Sequence, residues 1–350
     1  MISFIVGWLF MPSVIRIAQK HNFVVSPNKR TSHNGLVPNV GGIDIFFSFF
    51  AVILLSSFTA SIQSQFVMIG LFVIMVVGFI DDLLDIDVFW KLIGETAAAF
   101  CLIVIADVRL SSLHGFLGIY EIPLIFSYLL SYFVFIVITN SLNLVDGIDG
   151  LASGLGILYS LFFGIYFYRC GSMDLPLSLF AFTLVGSLAV FFIYNVFGNK
   201  KKIFMGDSGS LLLGYLVCLF VSEFCEMNAY HTIPDNMYMS AAPVVAICIL
   251  SVPLFDTVRV MLTRVKKKQS PFKPDKNHIH HLLLSLGLRH WQVSATLLTV
   301  SILYIVLAIV ARNWPIWMLL LLYIISATFL TYVLWRLVDR KRMKGEKNNT

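Results

Sequence analysis

An all-α integral membrane protein, a multi-pass bundle of about eleven transmembrane helices, is the fold class this sequence predicts, and three observations carry it. Of 350 residues, 58% are hydrophobic and only 13% are charged, with mean hydropathy +0.86. The apolar residues gather in runs near the ~20 residues that a helix needs to cross a bilayer. The polar residues gather between those runs, and their basic members are strongly one-sided. In lipid, each backbone N–H and C=O must be satisfied within its own segment, which selects helices over open sheet.

Taken in order, spans are expected at about 2–18, 42–60, 65–80, 91–107, 122–139, 151–168, 176–195, 208–224, 239–260, 293–311 and 315–335. The first lacks a basic leader and a small-residue cleavage site, so it reads as a retained span and not a signal peptide. An odd number of spans puts the termini on opposite sides. With the N-terminus outside and the C-terminus cytoplasmic, 22 of the 25 Lys and Arg fall on the inner side, leaving only Arg109, Arg169 and Arg312 outside. That satisfies the positive-inside rule. Residues 1–336 read as one polytopic domain and 337–350 as a basic, lipid-facing cytoplasmic tail. Basic residues flanking spans call for membrane lipids as partners, not nucleic acid. The five Cys show no CxxC or metal spacing and read as packing residues.

The same topology brings every polar cluster to the cytoplasmic face. "GFIDDLLDID" (78–87) ends the third span with Asp81 and Asp82, and Asp85 and Asp87 follow. Acids at a membrane boundary are costly unless they meet a cation, a metal or a polar cavity. The competing reading is a solvated helix end. "NSLNLVDGIDG" (140–150) sets Asn140, Asn143, Asp146 and Asp149 at three-residue spacing, so the two Asp share a face if a helix runs through them. A connecting turn needs one Gly or Asn, not this whole pattern; Gly147 and Gly150 are expected to let a ligand approach the backbone.

In "KKKIFMGDSGS" (200–210), Asp207 and Ser208 stand where an N-cap for the eighth span belongs. A helix N-terminus also favours phosphate, and Asp offers a hard oxygen to Mg²⁺. "PDKNHIHHLL" (274–283) holds His278, His280 and His281, with His278 and His281 expected on one face. No Cys or acid lies at zinc spacing, so diphosphate binding or proton transfer suits these imidazoles better. Carboxylates for a hard metal, phosphate-friendly helix ends and imidazoles on one face together suit phosphoryl transfer involving a lipid phosphate. An ion-coupled transporter also carries intramembrane acids, but near the bilayer midplane.

In order along the chain, "KRTSH…PNVGG", "GFIDDLLD" with Lys91 following, "NSLNLVDGIDGL", "FMGDSGS" and "HIHHLLL" closely resemble the polyprenyl-phosphate N-acetylhexosamine-1-phosphate transferases. The resemblance covers nearly the whole chain and implies a bacterial inner-membrane enzyme. Its acceptor would be undecaprenyl phosphate and its donor a UDP-N-acetylhexosamine. The transfer would release UMP, with Mg²⁺ as cofactor and Mn²⁺ as an allowed substitute. By motif, Asp207 and Asp82 would serve the metal, and Asp81 would be base or orienting acid beside Asp82. His278, His280 and His281 would surround the diphosphate. Asn140, Asn143, Asp146, Asp149, Asn195, Phe204 and Lys91 would bind nucleotide or phosphate, with Phe204 stacking on uracil. The H-I-H-H-L reading resembles the GlcNAc-1-phosphate branch and not the MurNAc-pentapeptide translocases, whose motif reads H-H-H then an acid. GalNAc, QuiNAc and FucNAc donors stay open, and a homodimer is compatible with the resemblance.

Overall fold

The computed structural model describes residues 1–21, 23–25, 37–56, 62–171, 175–268 and 278–347. The "KRTSH" segment and residues 274–277 of the histidine motif lie outside the described residues. The chain is helical almost throughout. Helix α1 (Ile2–Lys20) leads through a two-residue antiparallel ribbon, β1 (Val24–Val25) against β2 (Val37–Pro38), into α2 (Gly41–Leu55) and α3 (Ile62–Leu84). Next come α4 (Val88–Phe100), extended by a π-turn over Cys101–Ile105, then α5 (Leu124–Val145), α6 (Leu151–Cys170), α7 (Leu175–Phe197) and α8 (Gly206–Ala229). The chain ends with α9 (Ala242–Ile249), α10 (Ser251–Lys266), α11 (Ile279–Ser285), α12 (His290–Val310) and α13 (Ile316–Lys347).

Among the described residues, nine helices are long and apolar enough to span a membrane, or ten with one bent pair, against the expected eleven. Two predicted spans account for the difference. The second is realised as the 15-residue α2, which ends at Leu55. The ninth, expected over 239–260, breaks at Leu250 into α9 and α10, bent by 86°. Pro253 explains the break, because in a continuous helix its ring would meet the carbonyl four residues earlier and it has no N–H to donate. The five cysteines are free.

Helix α8 is the axis of the bundle: 94% of its apolar window is buried, against 17% for the peripheral α13. It is enclosed by α2, α3, α5, α6 and α9. Small residues on both sides permit this. A Cβ added at Gly78 of α3 would lie 2.5 Å from the Ser208 nitrogen, so only glycine lets α3 touch the first turn of α8. The contact at one end of the axis sets the geometry of the polar clusters.

Candidate active site

The site assembles where the C-terminal ends of α3, α5 and α7 meet the N-terminus of α8. Helix α8 starts at Gly206 with no side-chain cap of its own. The cap comes instead from α3. Asp82 Oδ1 accepts from the Asp207 backbone N–H (2.7 Å) and from Asn39 Nδ2 (2.8 Å), while Oδ2 accepts from the Ser208 N–H (3.0 Å) and hydroxyl (2.8 Å). A carboxylate has about four acceptor positions, and this one has four donors. The capping expected of Asp207 and Ser208 is therefore supplied by Asp82, in a place where negative charge also meets the positive end of the helix dipole.

With its backbone secured, Asp207 keeps its partly exposed side chain for other partners. Asn143 Nδ2 donates to its Oδ1 at 2.8 Å, and Lys91 Nζ donates to its Oδ2. The same ammonium donates to Asp81 Oδ2 at 2.9 Å, and Asp81 Oδ1 accepts the Ile86 N–H at 3.0 Å. Lys91 thus bridges Asp81 and Asp207 from the first turn of α4. Asp87 caps that helix through the Phe89 N–H (2.9 Å), and Asp85 is exposed, so neither joins the cluster.

The two acids of the 140–150 motif part company. Helix α5 stops at Val145, so Asp146 and Asp149 sit in a turn and the shared helical face does not form. Burial, with the negative charges of Asp207, Asp82 and Asp149, pushes the Asp146 carboxyl well above the usual carboxylate range. Asp149 points the other way, to Lys202 Nζ (2.6 Å) and His290 Nδ1 (3.5 Å). Burial would raise its pKa, but those two partners hold it below the carboxylate norm. Gly150 has φ +72°, and a Cβ there would lie 2.7 Å from Val196, so it serves the turn and its packing on α7. Gly147 is the open one; a Cβ there would meet only His280 Nε2, at 3.7 Å.

That distance sets the histidines beside the 146–150 turn. His278 precedes α11 as its N-cap residue and stacks on His280 (5.6 Å, 6°), while His280 and His281 are 4.3 Å apart. The expected pairing of His278 with His281 on one helical face gives way because His278 lies before the helix. Burial, and then the neighbouring His281, lower His280 to about 3, so it is a neutral imidazole at physiological pH. Asp256 of α10, which sequence reasoning missed, holds this motif. It pairs with His278 Nδ1 (3.0 Å), accepts the Ile279 N–H (3.0 Å) and pairs with Arg259 (2.8 Å). An acid inside the apolar run "SVPLFDTV" was the available signal. Glu95, 2% exposed, was missed for the same reason; it accepts from Asn140 Nδ2 at 3.0 Å.

Asn195 and Phe204 frame the other wall. Asn195 Oδ1 accepts the Gly150 N–H (2.7 Å) and its Nδ2 donates to the Ile203 carbonyl (2.8 Å), so both ends of its amide brace the backbone. Phe204 is pinned to the "PNVGG" segment: its N–H donates to the Pro38 carbonyl (2.9 Å), and its carbonyl accepts the Gly41 N–H (2.9 Å). Its ring centroid is 5.8 Å from Lys202 Nζ, beside the Asp149 pair.

The donor set fits a hard divalent cation. Carboxylates of Asp207 and Asp81 flank the Lys91 ammonium, and Asn143 and Asp146 stand beside Asp207. Burial is the main cause of the raised Asp146 carboxyl, and the neighbouring negative charges that add to it would be offset by a cation. Among the described residues no three His, Cys, Asp or Glu are set as a complete metal cage. A groove of about 1020 Å³ runs along α5, α10 and α13, apolar through Phe133, Leu254 and Ile324, with Arg259, Lys266 and Arg336 also lining it. Arg259 links this groove to Asp256 and the histidines.

A model of Glycosyl transferase family 4 matches residues 64–224. The chain is 29% identical to the undecaprenyl-phosphate alpha-N-acetylglucosaminyl 1-phosphate transferase of Yersinia pestis, over 99% of this chain and 95% of the relative. The protein of the same name from Escherichia coli O157:H7 is 30% identical over 94% of this chain and 88% of its own length. That from Salmonella typhimurium is 29% identical over 99% and 95%. Matched almost end to end by these relatives, the chain belongs to this family of polyprenyl-phosphate N-acetylhexosamine-1-phosphate transferases.

Proposed function

We propose that the protein transfers GlcNAc-1-phosphate from UDP-GlcNAc to undecaprenyl phosphate and releases UMP, the first membrane step of a cell-surface polysaccharide. The observation that carries this reading is Lys91 held between Asp81 and Asp207 at the capped N-terminus of α8, with His280 beside the 146–150 turn. One new bond forms between an acceptor phosphate oxygen and the sugar-bearing phosphorus, and the bond from that phosphorus to the uridylate oxygen breaks. A phosphate monoester has its second pKa near 6 and is already a dianion at neutral pH, so the acceptor needs positioning more than a strong base. Asp81, committed to Lys91 and the Ile86 N–H, fits the orienting role.

Lys91 places positive charge where the phosphoryl oxygens gather, and neutral His280 donates a hydrogen bond without adding charge. Asp207, with Asn143 and Asp146 beside it, would hold Mg²⁺, which when bound neutralises diphosphate charge. Asp82 is assigned here to capping α8, and Asn195 to bracing the 146–150 turn. The groove along α5, α10 and α13 suits the polyprenyl tail. The basic residues at the site's end of the bundle favour the cytoplasmic face of the inner membrane, with the N-terminus outside. Purified protein with undecaprenyl phosphate, Mg²⁺ and a panel of UDP-N-acetylhexosamines tests the reading. UMP release with UDP-GlcNAc preferred is expected, and a preference for another donor would reassign the sugar.

A further inference from the structure

Asn140 and Asn143 leave the last turns of α5 three residues apart, and each has its amide hydrogens tied to the protein. Asn140 Nδ2 donates to Glu95 Oε2 and to the Ile136 carbonyl, both at 3.0 Å. Asn143 Nδ2 donates to Asp207 Oδ1 at 2.8 Å and to Ser210 Oγ at 2.9 Å. A primary amide has two N–H donors, so these contacts consume both and fix which way each amide points. For Asn140 the partners are a carbonyl and a carboxylate, and its Oδ1 takes no hydrogen bond among the described residues. Glu95 lies one turn below Lys91, 2% exposed, as the one charged residue of the stretch "LIGETAAAF". An acid buried there is costly without a polar partner, and the partner it has is the Asn140 amide.

We propose that Glu95 is a positioning residue: it holds the Asn140 NH₂ to the protein and leaves the carbonyl oxygen free, and that oxygen accepts a hydrogen bond from the UDP-sugar. The inference rests on the proposed UDP-sugar donor. The oxygens of the lipid phosphate and of the diphosphate are acceptors at neutral pH, so an amide oxygen has nothing to take from them. The donors that the substrates bring are the hydroxyls and amide N–H groups of the sugar and nucleoside. Asn140 therefore reads the nucleotide sugar, and Glu95 sets its orientation from beneath.

Four proteins test this: wild type, Glu95→Gln, Asn140→Asp and the double variant. Glu95→Gln keeps an acceptor for the amide and stays within about threefold of wild type. Asn140→Asp turns a carboxylate against Glu95 and raises KM for UDP-GlcNAc at least ~30-fold, with KM for undecaprenyl phosphate unchanged. In the double variant the amide introduced at position 95 donates to the new carboxylate, recovering at least ~10-fold in KM for UDP-GlcNAc with KM for undecaprenyl phosphate unchanged throughout, a substrate-specific pattern that a merely structural role would not produce. Equilibrium binding of UDP-GlcNAc to the same four proteins follows the same order without needing turnover. No recovery in the double variant, or an effect that falls on the Mg²⁺ requirement or on the lipid KM, overturns the inference. A wild type that binds UDP-GlcNAc but releases no UMP overturns the proposed reaction alone, and the binding order still decides the role of Glu95.

Discussion

Replacing Asp82 with Ala separates capping from chemistry. The substitution removes the acceptor for the Asp207 and Ser208 backbone N–H groups, for the Ser208 hydroxyl and for Asn39 Nδ2. Ser208 is 0% exposed, so water cannot replace the carboxylate at its donors without opening the α3–α8 contact. Hydrogen bonds to a charged group contribute about 1.5–3 kcal/mol each, and a buried donor left unpaired costs about 1–3. Relief of the repulsion between Asp82 and Asp207 offsets part of this. Two backbone donors and one hydroxyl then give a net loss of about 3–5 kcal/mol, a large share of the roughly 5–15 kcal/mol typical of a folded domain. Asp207→Ala is the contrast: it frees Lys91 and Asn143 but leaves both backbone bonds to Asp82 in place. Thermal unfolding in detergent should show Asp82→Ala lowered on the order of 5 °C, and Asp207→Ala within about 2 °C of wild type. Both lose activity, Asp207→Ala by at least ~10²-fold, since metal and charge stabilisation contribute several kcal/mol. An Asp82→Ala protein that melts with the wild type yet has lost turnover would refute the capping role and return Asp82 to the reacting centre.

Acid should destabilise the fold through His280. Its folded pKa of about 3 lies below the ordinary value of 6.5, so its contribution is complete above about pH 6.5 and is lost as pH falls toward 3. The loss is about 2 kcal/mol at about pH 5, and His280→Gln should flatten that part of the stability profile; an unchanged profile would remove His280 as its cause. Topology is read by single cysteines at two exposed positions, Leu84→Cys beside the site and Tyr120→Cys at the opposite end, in a background lacking the five native cysteines. Impermeant reagent added to intact cells should label position 120 and spare position 84. The reverse pattern would invert the protein in the membrane.

The helical bundle and its polar end were legible because lipid forces each span to declare itself in composition. The broken ninth span was less so: hydropathy averages over Leu250, and the bend depends on where Pro253 falls in register. The acids of the motifs were visible as residues, but their partners were not. Asp82 and Asp207 are equally acidic in sequence, yet one faces backbone amides and the other an ammonium, a division made by the close approach of α3 to α8 at Gly78. The 3.6-residue period misassigned Asp146 and Asp149, because α5 ends one residue before the pair and a turn sends them to different neighbours. Glu95 and Asp256 escaped attention inside apolar runs, although a lone acid in such a run is itself the signal of a buried polar partner.

The central claim is that phosphorus, not the sugar carbon, is the atom attacked. UDP-GlcNAc radiolabelled at the β-phosphate, incubated with the purified protein, undecaprenyl phosphate and Mg²⁺, tests it directly. The account predicts that the label moves into the lipid product while unlabelled UMP accumulates in equal amount. Label retained in released UDP, with an unlabelled sugar on the lipid, would mean glycosyl transfer and would contradict it.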